Sequence, residues 1–145
     1  MAKRYKLRIP RTIYRAVLQH ALEELPNECC GLLAGTVSEA GIGAVSRRFP
    51  LVNRLASPVA YESEPKTIFA AHKAMRAEKV DLLAVYHSHP TSYPVPSRTD
   101  CANNYYGPEL IHLIISLKGE PAQVRAWRLA ESSYQEAEWE LAEEE

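Results

Sequence analysis

The segment His87-Ser88-His89-Pro90 carries the strongest chemical signal in the sequence. It follows residues 82–86, an apolar run with the composition of a buried strand. Side chains at positions i and i+2 of a strand point to the same face, so the two imidazoles can share one metal ion. A histidine pair at a strand end is also compatible with a purely structural, polar role.

Asp100 supplies a third candidate ligand after residues 90–99, a segment that three prolines stiffen and that can fold back toward the strand end. Two imidazoles and one carboxylate leave the fourth tetrahedral position of zinc open for water, which is typical of a catalytic site. The stretch Ser97-Arg98-Thr99-Asp100 also fits a capping box, S-x-x-D. Taken alone, Asp100 is better explained as a helix cap.

Glu28 precedes residues 29–35, a small and apolar run that predicts a buried strand in the centre of a sheet. A glutamate at such a position is usually a solvated strand end. A metal-bound water needs a base, however, and a nearby carboxylate that is not itself a ligand can take its proton. These residue types are therefore compatible with a zinc site at His87, His89 and Asp100 that has Glu28 as its base, and equally with a helix cap at Asp100 and a solvated strand end at Glu28.

Strands and helices alternate in the rest of the pattern, which predicts one α+β domain with a mixed sheet. The predicted strands are residues 5–9, 28–37, 42–52, 57–61, 82–86, 110–117, 123–129 and 134–141. The predicted helices are residues 10–25, 65–79 and 98–106. The apolar face predicted for the first helix consists of Ile13, Val17, Leu18, Ala21, Leu22 and Leu25.

The composition predicts a soluble globular protein. The 145 residues are 46% hydrophobic and 24% charged, which is enough apolar material for one core. A net charge of -1 gives no general attraction to nucleic acid or to membranes. The basic start has no apolar run behind it, so we expect no signal peptide. Three cysteines, two of them adjacent, argue against a disulfide framework, and we expect a cytoplasmic protein.

Together these residues resemble the signature of the JAMM (MPN-plus) metalloisopeptidases, specifically the compact bacterial members. That signature is a glutamate, a distant H-x-H-P, and then a serine and an aspartate at fixed spacing. Here it is present as Glu28, His87-Ser88-His89-Pro90, Ser97 and Asp100. The resemblance covers residues 10–129, and the joint spacing of the functional positions makes it specific.

The resemblance implies a role for each of these residues. One zinc ion per chain would be bound by His87, His89 and Asp100. Glu28 would be the general acid/base, hydrogen-bonded to the zinc water. Ser97 would stabilise the oxyanion of the tetrahedral intermediate, in addition to any capping role.

The resemblance also implies a fold, a mixed and curved sheet flanked by helices that is similar to the fold of cytidine deaminases. Residues 1–141 would form one JAMM/MPN metalloprotease domain, and residues 142–145 an acidic C-terminal tail. His20 in the first helix, His72 on the apolar face of the second helix and His112 in a strand are predicted to be structural.

The activity implied by the resemblance is hydrolysis of peptide or isopeptide bonds after the C-terminal Gly-Gly of a ubiquitin-like protein. Compact bacterial relatives are associated with ubiquitin-like sulfur-carrier proteins. Only residues 101–109 separate Asp100 from the next predicted strand, which leaves little room for insertions that grip ubiquitin. This favours a sulfur carrier as the partner, and we expect neither nucleic acid nor a membrane.

Two other functions compete with this hydrolase hypothesis. The same fold occurs in MPN-minus proteins, which lack the metal residues and serve as non-catalytic scaffolds. Nucleobase deaminases also use zinc, but their H-x-E and P-C-x-x-C motifs are missing here. Because all the ligand positions and Glu28 are present, the hydrolase ranks above the scaffold, and the scaffold above the deaminase.

Overall fold

The strands of the computed structural model, which describes residues 4–143, join into one eight-stranded sheet. The strands are β1 (Lys6–Ile9), β2 (Cys30–Val37), β3 (Ile42–Leu51), β4 (Asp81–His89), β5 (Ile111–Ser116), β6 (Gln123–Leu129), β7 (Tyr134–Ala137) and β8 (Trp139–Leu141). The helices are α1 (Arg11–Glu23), α2 (Pro65–Glu78) and α3 (Arg98–Ala102). The predicted α+β class with a mixed sheet is confirmed.

The sheet curves until its two ends are joined by one segment of chain. Its strand order is β7-β6-β5-β4-β2-β3-β1-β8, with parallel pairs β1–β3, β1–β8 and β4–β5 and antiparallel pairs elsewhere. Only Glu138 separates β7 from β8, and its carbonyl accepts a hydrogen bond from the Leu7 N–H at 3.1 Å. The residues before Glu138 therefore pair with β6 at one end of the sheet, and the residues after it pair with β1 at the other end.

The helices cover the two faces of the sheet. Val17 and Ala21 of α1 belong to the apolar core on one face, and Met75 of α2 belongs to the core on the other face. Cys29 packs in the first core and Cys30 in the second, as expected for neighbours in a strand. None of the helices within residues 4–143 is long and apolar enough to cross a membrane.

The strand predicted at residues 57–61 is wrong, because an asparagine side chain takes the hydrogen bonds that a strand partner would have made. The Asn53 amide donates to the carbonyls of Glu28 and Ala60, and its oxygen accepts from the Glu62 N–H. An isolated bridge is the only ladder pairing in this part of the described chain. The segment is an ordered loop that leads from β3 to α2.

The helix predicted at residues 98–106 ends four residues early, at Ala102. The Asn104 amide donates to the carbonyls of Gly107 and Leu129, and its oxygen accepts from the Tyr106 N–H. These bonds satisfy the backbone in a turn rather than in a further helical turn.

The predicted apolar face of α1 is too wide. Val17 and Ala21 are buried, but Leu22 is 52% exposed and Leu25 is 45% exposed. The helix ends at Glu23, so Leu25 is no longer on a helical face. At the other end of the chain, β8 ends at Leu141, and the predicted tail at residues 142–145 lies partly outside the described residues.

Gly31 allows β2 and β4 to pack a large aromatic ring between them and the helix layer. It pairs with Tyr86, and a Cβ at Gly31 would lie 2.3 Å from carbons of the Tyr86 ring. That ring is buried and is held in place, since its hydroxyl lies 2.7 Å from His20 Nδ1 and accepts from Arg48 Nη1 at 3.1 Å. A side chain at Gly31 would therefore displace the residue that directly precedes the histidine motif.

We predict that Gly31→Ala lowers the free energy of unfolding by about 2 kcal/mol, the usual cost of overpacking a core. Urea denaturation of the metal-free protein measures this. The matched control is Gly119→Ala, where a Cβ meets nothing within 4 Å, and we expect a change within about 0.5 kcal/mol. Equal losses in the two variants would contradict the proposed packing.

Candidate active site

The register between β2 and β4 brings Glu28 beside the histidine motif. His87 pairs with Cys30 in the antiparallel ladder. Continuing this register by two residues puts Glu28 opposite His89, on the same face of the sheet. These side chains are almost inaccessible, with His87 0%, His89 3% and Glu28 4% exposed.

Ser88 holds the two strands together at this end. Its Oγ accepts a hydrogen bond from the Cys29 N–H at 2.8 Å, and its own N–H donates to the Cys29 carbonyl at 3.2 Å. Both partners are adjacent to site residues, Ser88 between the two histidines and Cys29 next to Glu28. The two bonds therefore fix the position of Glu28 along the strand direction relative to His87 and His89.

The proline-rich loop folds back over β5 and β6, as its sequence predicts. Ser116 Oγ donates to the Ser92 carbonyl at 2.6 Å, and the Trp127 indole N–H donates to the Pro94 carbonyl at 2.9 Å. Val95 packs against the buried cluster that contains Trp127. These anchors return the chain to the end of β4, where α3 begins.

Asp100 is both a helix cap and a member of the site. The Ser97 hydroxyl accepts from the Asp100 N–H at 3.0 Å, and Asp100 Oδ2 accepts from the Ser97 N–H at 2.8 Å, which completes a capping box. The same Oδ2 lies 3.3 Å from His87 Nε2 and 3.2 Å from His89 Nε2. The two interpretations of Asp100 are therefore compatible.

The three polar atoms have the spacing of ligands around one metal ion. They lie within 4.8 Å of one another, and the two imidazole Nε2 atoms are 3.1 Å apart. Tetrahedral ligands at about 2.0–2.1 Å from zinc are separated by about 3.3 Å. His89 Nδ1 lies 2.8 Å from the Tyr93 carbonyl, to which it donates, so its Nε2 keeps a free lone pair. The donor set fits zinc.

The two carboxyl groups have opposite electrostatic environments. Burial raises the pKa of Glu28 to about 7, against the opposing influence of His87 and His89. Burial also works to raise the pKa of Asp100, but the two neighbouring imidazoles and the Ser97 N–H hold it well below its usual range. Glu28 Oε1 has no hydrogen-bond partner among the described residues. Such a separation of pKa values is typical of an acid/base beside a permanently ionised ligand.

A groove of about 770 Å³ extends from Asp100 across the sheet, between α2 and residues 99–106. Its floor is formed by Cys30, Leu32, Val85 and His112. Most of its remaining lining is apolar, including the exposed Phe69. Its volume is in the range of sites that bind small molecules or short peptide segments.

Tyr61 joins the groove to the histidine pair and was missed by sequence reasoning. Its ring stacks on His87 with centroids 4.8 Å apart and an interplanar angle of 28°, and it also lines the groove. The only signal in the sequence is an aromatic residue shortly before the second helix. That position gives no indication of a contact with β4, because the contact depends on the path of the loop after β3.

Comparison with known proteins relates this arrangement to one family. The family described as "Prokaryotic homologs of the JAB domain" matches residues 10–130. A desampylase of Haloferax volcanii is 37% identical over 109 residues, which are 72% of this chain and 76% of that protein. A probable TtuB-protein conjugate cleaving protease of Thermus thermophilus is 39% identical over 95 residues, 65% of this chain and 60% of that protein.

A solved structure supports the same relationship at the level of the fold. The solution structure of protein DSY2949 from Desulfitobacterium hafniense superimposes with a TM-score of 0.84 at 32% sequence identity. The superposition covers 95% of this chain and 94% of that chain. The strand arrangement that brings Glu28, the histidines and Asp100 together thus lies within a fold shared along nearly the whole chain.

Glu28 should destabilise the metal-free fold at neutral pH. Its folded-state pKa of about 7 lies above the model-peptide value of 4.5, so between these pH values the folded chain keeps a proton that the unfolded chain has lost. Stability contributed by the neutral carboxyl is therefore present below about pH 4.5 and is lost as the pH rises toward 7.

We predict that Glu28→Gln is more stable than the wild type in the metal-free state, by a margin that grows by roughly 1.4 kcal/mol per pH unit. The margin should level off near about 3 kcal/mol above pH 7. Urea denaturation of both proteins from pH 4.5 to 8 in the presence of a chelator measures it. A margin that does not change with pH would contradict the buried environment of this carboxyl group.

Proposed function

Because the chain belongs to the prokaryotic homologues of the JAB domain, we propose that it is a zinc-dependent peptidase that cleaves after the C-terminal Gly-Gly of a ubiquitin-like or sulfur-carrier protein. The observation that carries this proposal is the convergence of His87, His89 and Asp100 beside Glu28 at the end of an open groove. The names of the two relatives describe enzymes that remove such modifiers or cleave their conjugates.

In the proposed site, His87, His89 and Asp100 are the zinc ligands. Bound zinc would polarise the scissile carbonyl and lower the pKa of its water to about 7. The protein itself orients the side chains that carry the ligand atoms. The Tyr93 carbonyl orients the His89 ring, and the Ser97 N–H orients the Asp100 carboxylate.

Glu28 is the proposed proton carrier. In the metal-free chain burial raises the pKa of Glu28 to about 7, so this carboxyl group is able both to accept a proton and to hold one. In the forward reaction Glu28 takes a proton from the attacking water. It then transfers that proton to the nitrogen of the leaving amine.

Ser97 is the proposed donor to the carbonyl oxygen on which negative charge develops. In the capping box its hydroxyl oxygen is an acceptor for the Asp100 N–H, so the hydroxyl proton is not used. It can be donated to the substrate without breaking the cap. A preorganised donor of this kind contributes about 3 kcal/mol to transition-state stabilisation.

The groove is the proposed site for the carrier's tail. Asp100 is part of its lining, the lining is mainly apolar, and its volume of about 770 Å³ is sufficient for a short peptide segment. A protein scaffold without catalysis would need neither a ligand set with this spacing nor a buried carboxyl group beside it with one oxygen unpaired. These features support the enzyme over the scaffold alternative.

The first test is zinc content after reconstitution at neutral pH, measured by elemental analysis. We expect about one zinc per chain in the wild type and in Glu28→Gln, but little in His89→Ala, which removes one of three ligands. The control is His72→Ala, which removes a histidine of α2 that is outside the ligand group. Zinc retained by His89→Ala would contradict the proposed ligands.

The second test is cleavage of a ubiquitin-like carrier that carries an extension after Gly-Gly, followed by mass spectrometry. We expect trimming by the zinc-loaded wild type and a loss of about 10²–10⁴-fold in Glu28→Gln. In Ser97→Ala we expect kcat to fall about a hundredfold with KM little changed.

Ser97→Thr is the matched control for this second test, because threonine keeps both the hydroxyl and the capping ability. It should retain most of the activity. An intact carrier after incubation with the zinc-loaded wild type would overturn the peptidase proposal. Carrier binding without cleavage would favour the scaffold.

A further inference from the structure

His112 is the one polar side chain in the floor of the groove. It belongs to β5, where its neighbours Ile111 and Leu113 point into the core on the α1 face. His112 itself is on the opposite face, is 3% exposed, and lines the groove together with Val85, its partner in the parallel β4–β5 ladder. The surrounding positions of the floor are apolar apart from Cys30.

The ring of His112 packs edge-on against Tyr106, with centroids 6.3 Å apart, but its Nε2 atom is buried without a hydrogen-bond partner among the described residues. By contrast, His20 contacts the Tyr86 hydroxyl and His89 contacts the Tyr93 carbonyl. An unsatisfied buried polar group destabilises a fold, so an apolar residue at this position would make a more stable floor. Burial lowers the pKa of His112 to about 4, so the ring is neutral at neutral pH.

The strand register gives the distance along the sheet from His112 to the candidate zinc ligand His87. His87 is two residues beyond Val85 on β4, which corresponds to about 7 Å along the strand. An extended tail has a similar rise per residue. If the terminal glycine of the tail lies at the zinc ligands, the third residue from its C terminus is about 7 Å away along the strand and lies beside His112.

We propose that His112 is a substrate-binding residue whose ring nitrogen accepts a hydrogen bond from the backbone N–H of the third residue from the C terminus of the carrier tail, just before Gly-Gly. This proposal rests on the function proposed above and on the tail lying in the groove. A residue of the leaving group in this part of the groove is the alternative that the experiment must separate.

The test compares two tail peptides, acetyl-Gly-Gly and acetyl-Ala-Gly-Gly, binding to the zinc-loaded protein labelled with ¹⁵N-histidine. We expect the third residue to tighten binding to the wild type by about tenfold and to shift the ring nitrogen resonances of His112. In His112→Phe the tightening should largely disappear. The control is His20→Phe, which removes a buried imidazole on the opposite face and should keep the tenfold gain.

The ratio of the two peptide affinities is measured within one protein, so partial unfolding of a variant does not alter this ratio. The wild-type His112 resonances remain informative even if His112→Phe does not fold. An equal gain in wild type and His112→Phe, or no shift of the His112 resonances, would overturn the proposal. If the wild type trims the carrier but shows either of these results, the proposed function stands and only the role of His112 is refuted. A wild type that trims no carrier would count against the function itself.

Discussion

The antiparallel register between β2 and β4 is the constraint on which the site depends. Because Cys30 stands opposite His87, the carboxyl group of Glu28 comes level with His89. A slip of one residue would turn the motif to the other face of the sheet. Ser88 prevents such a slip, since its side chain and its backbone both bond to the neighbouring strand next to Glu28. The middle residue of the motif is therefore as important for the geometry as the histidines are.

The site also shows how two neighbouring carboxyl groups obtain opposite properties from ordinary folding elements. Asp100 receives a backbone N–H from the start of α3 and faces two imidazoles, which stabilises its charge. Glu28 is buried at a strand end and one of its oxygens has no partner among the described residues, which favours its neutral form. A helix cap and a strand end thus supply one permanently ionised carboxylate and one carboxyl group that can hold a proton, and the proposed hydrolysis depends on this difference.

Local patterns in the sequence were sufficient for the main elements, because alternation, proline positions and the S-x-x-D box depend on neighbouring residues. The pairing of the two histidines in the site was also predictable, since strand geometry places residues 87 and 89 on one face. The strand predicted at residues 57–61 failed because the Asn53 side chain replaces a strand partner. The groove and the contact of Tyr61 with His87 were not predictable, because they arise from the packing of loops far apart in sequence. The catalytic roles of the residues are still proposals.

The joining of both ends of the sheet by β7 and β8 has a consequence for the way the chain folds. β1 forms its ladder with β8 between residues more than 100 positions apart in sequence, and bringing such distant segments together carries a large loop-closure entropy. Contacts of this kind slow folding, so we infer that β7 and β8 join the sheet late. Until they pair with β6 and β1, the edges of β6 and β1 are unpaired templates for other extended chains. The incomplete sheet during synthesis or refolding is therefore the state in which the edges of β1 and β6 are open to pairing with another chain.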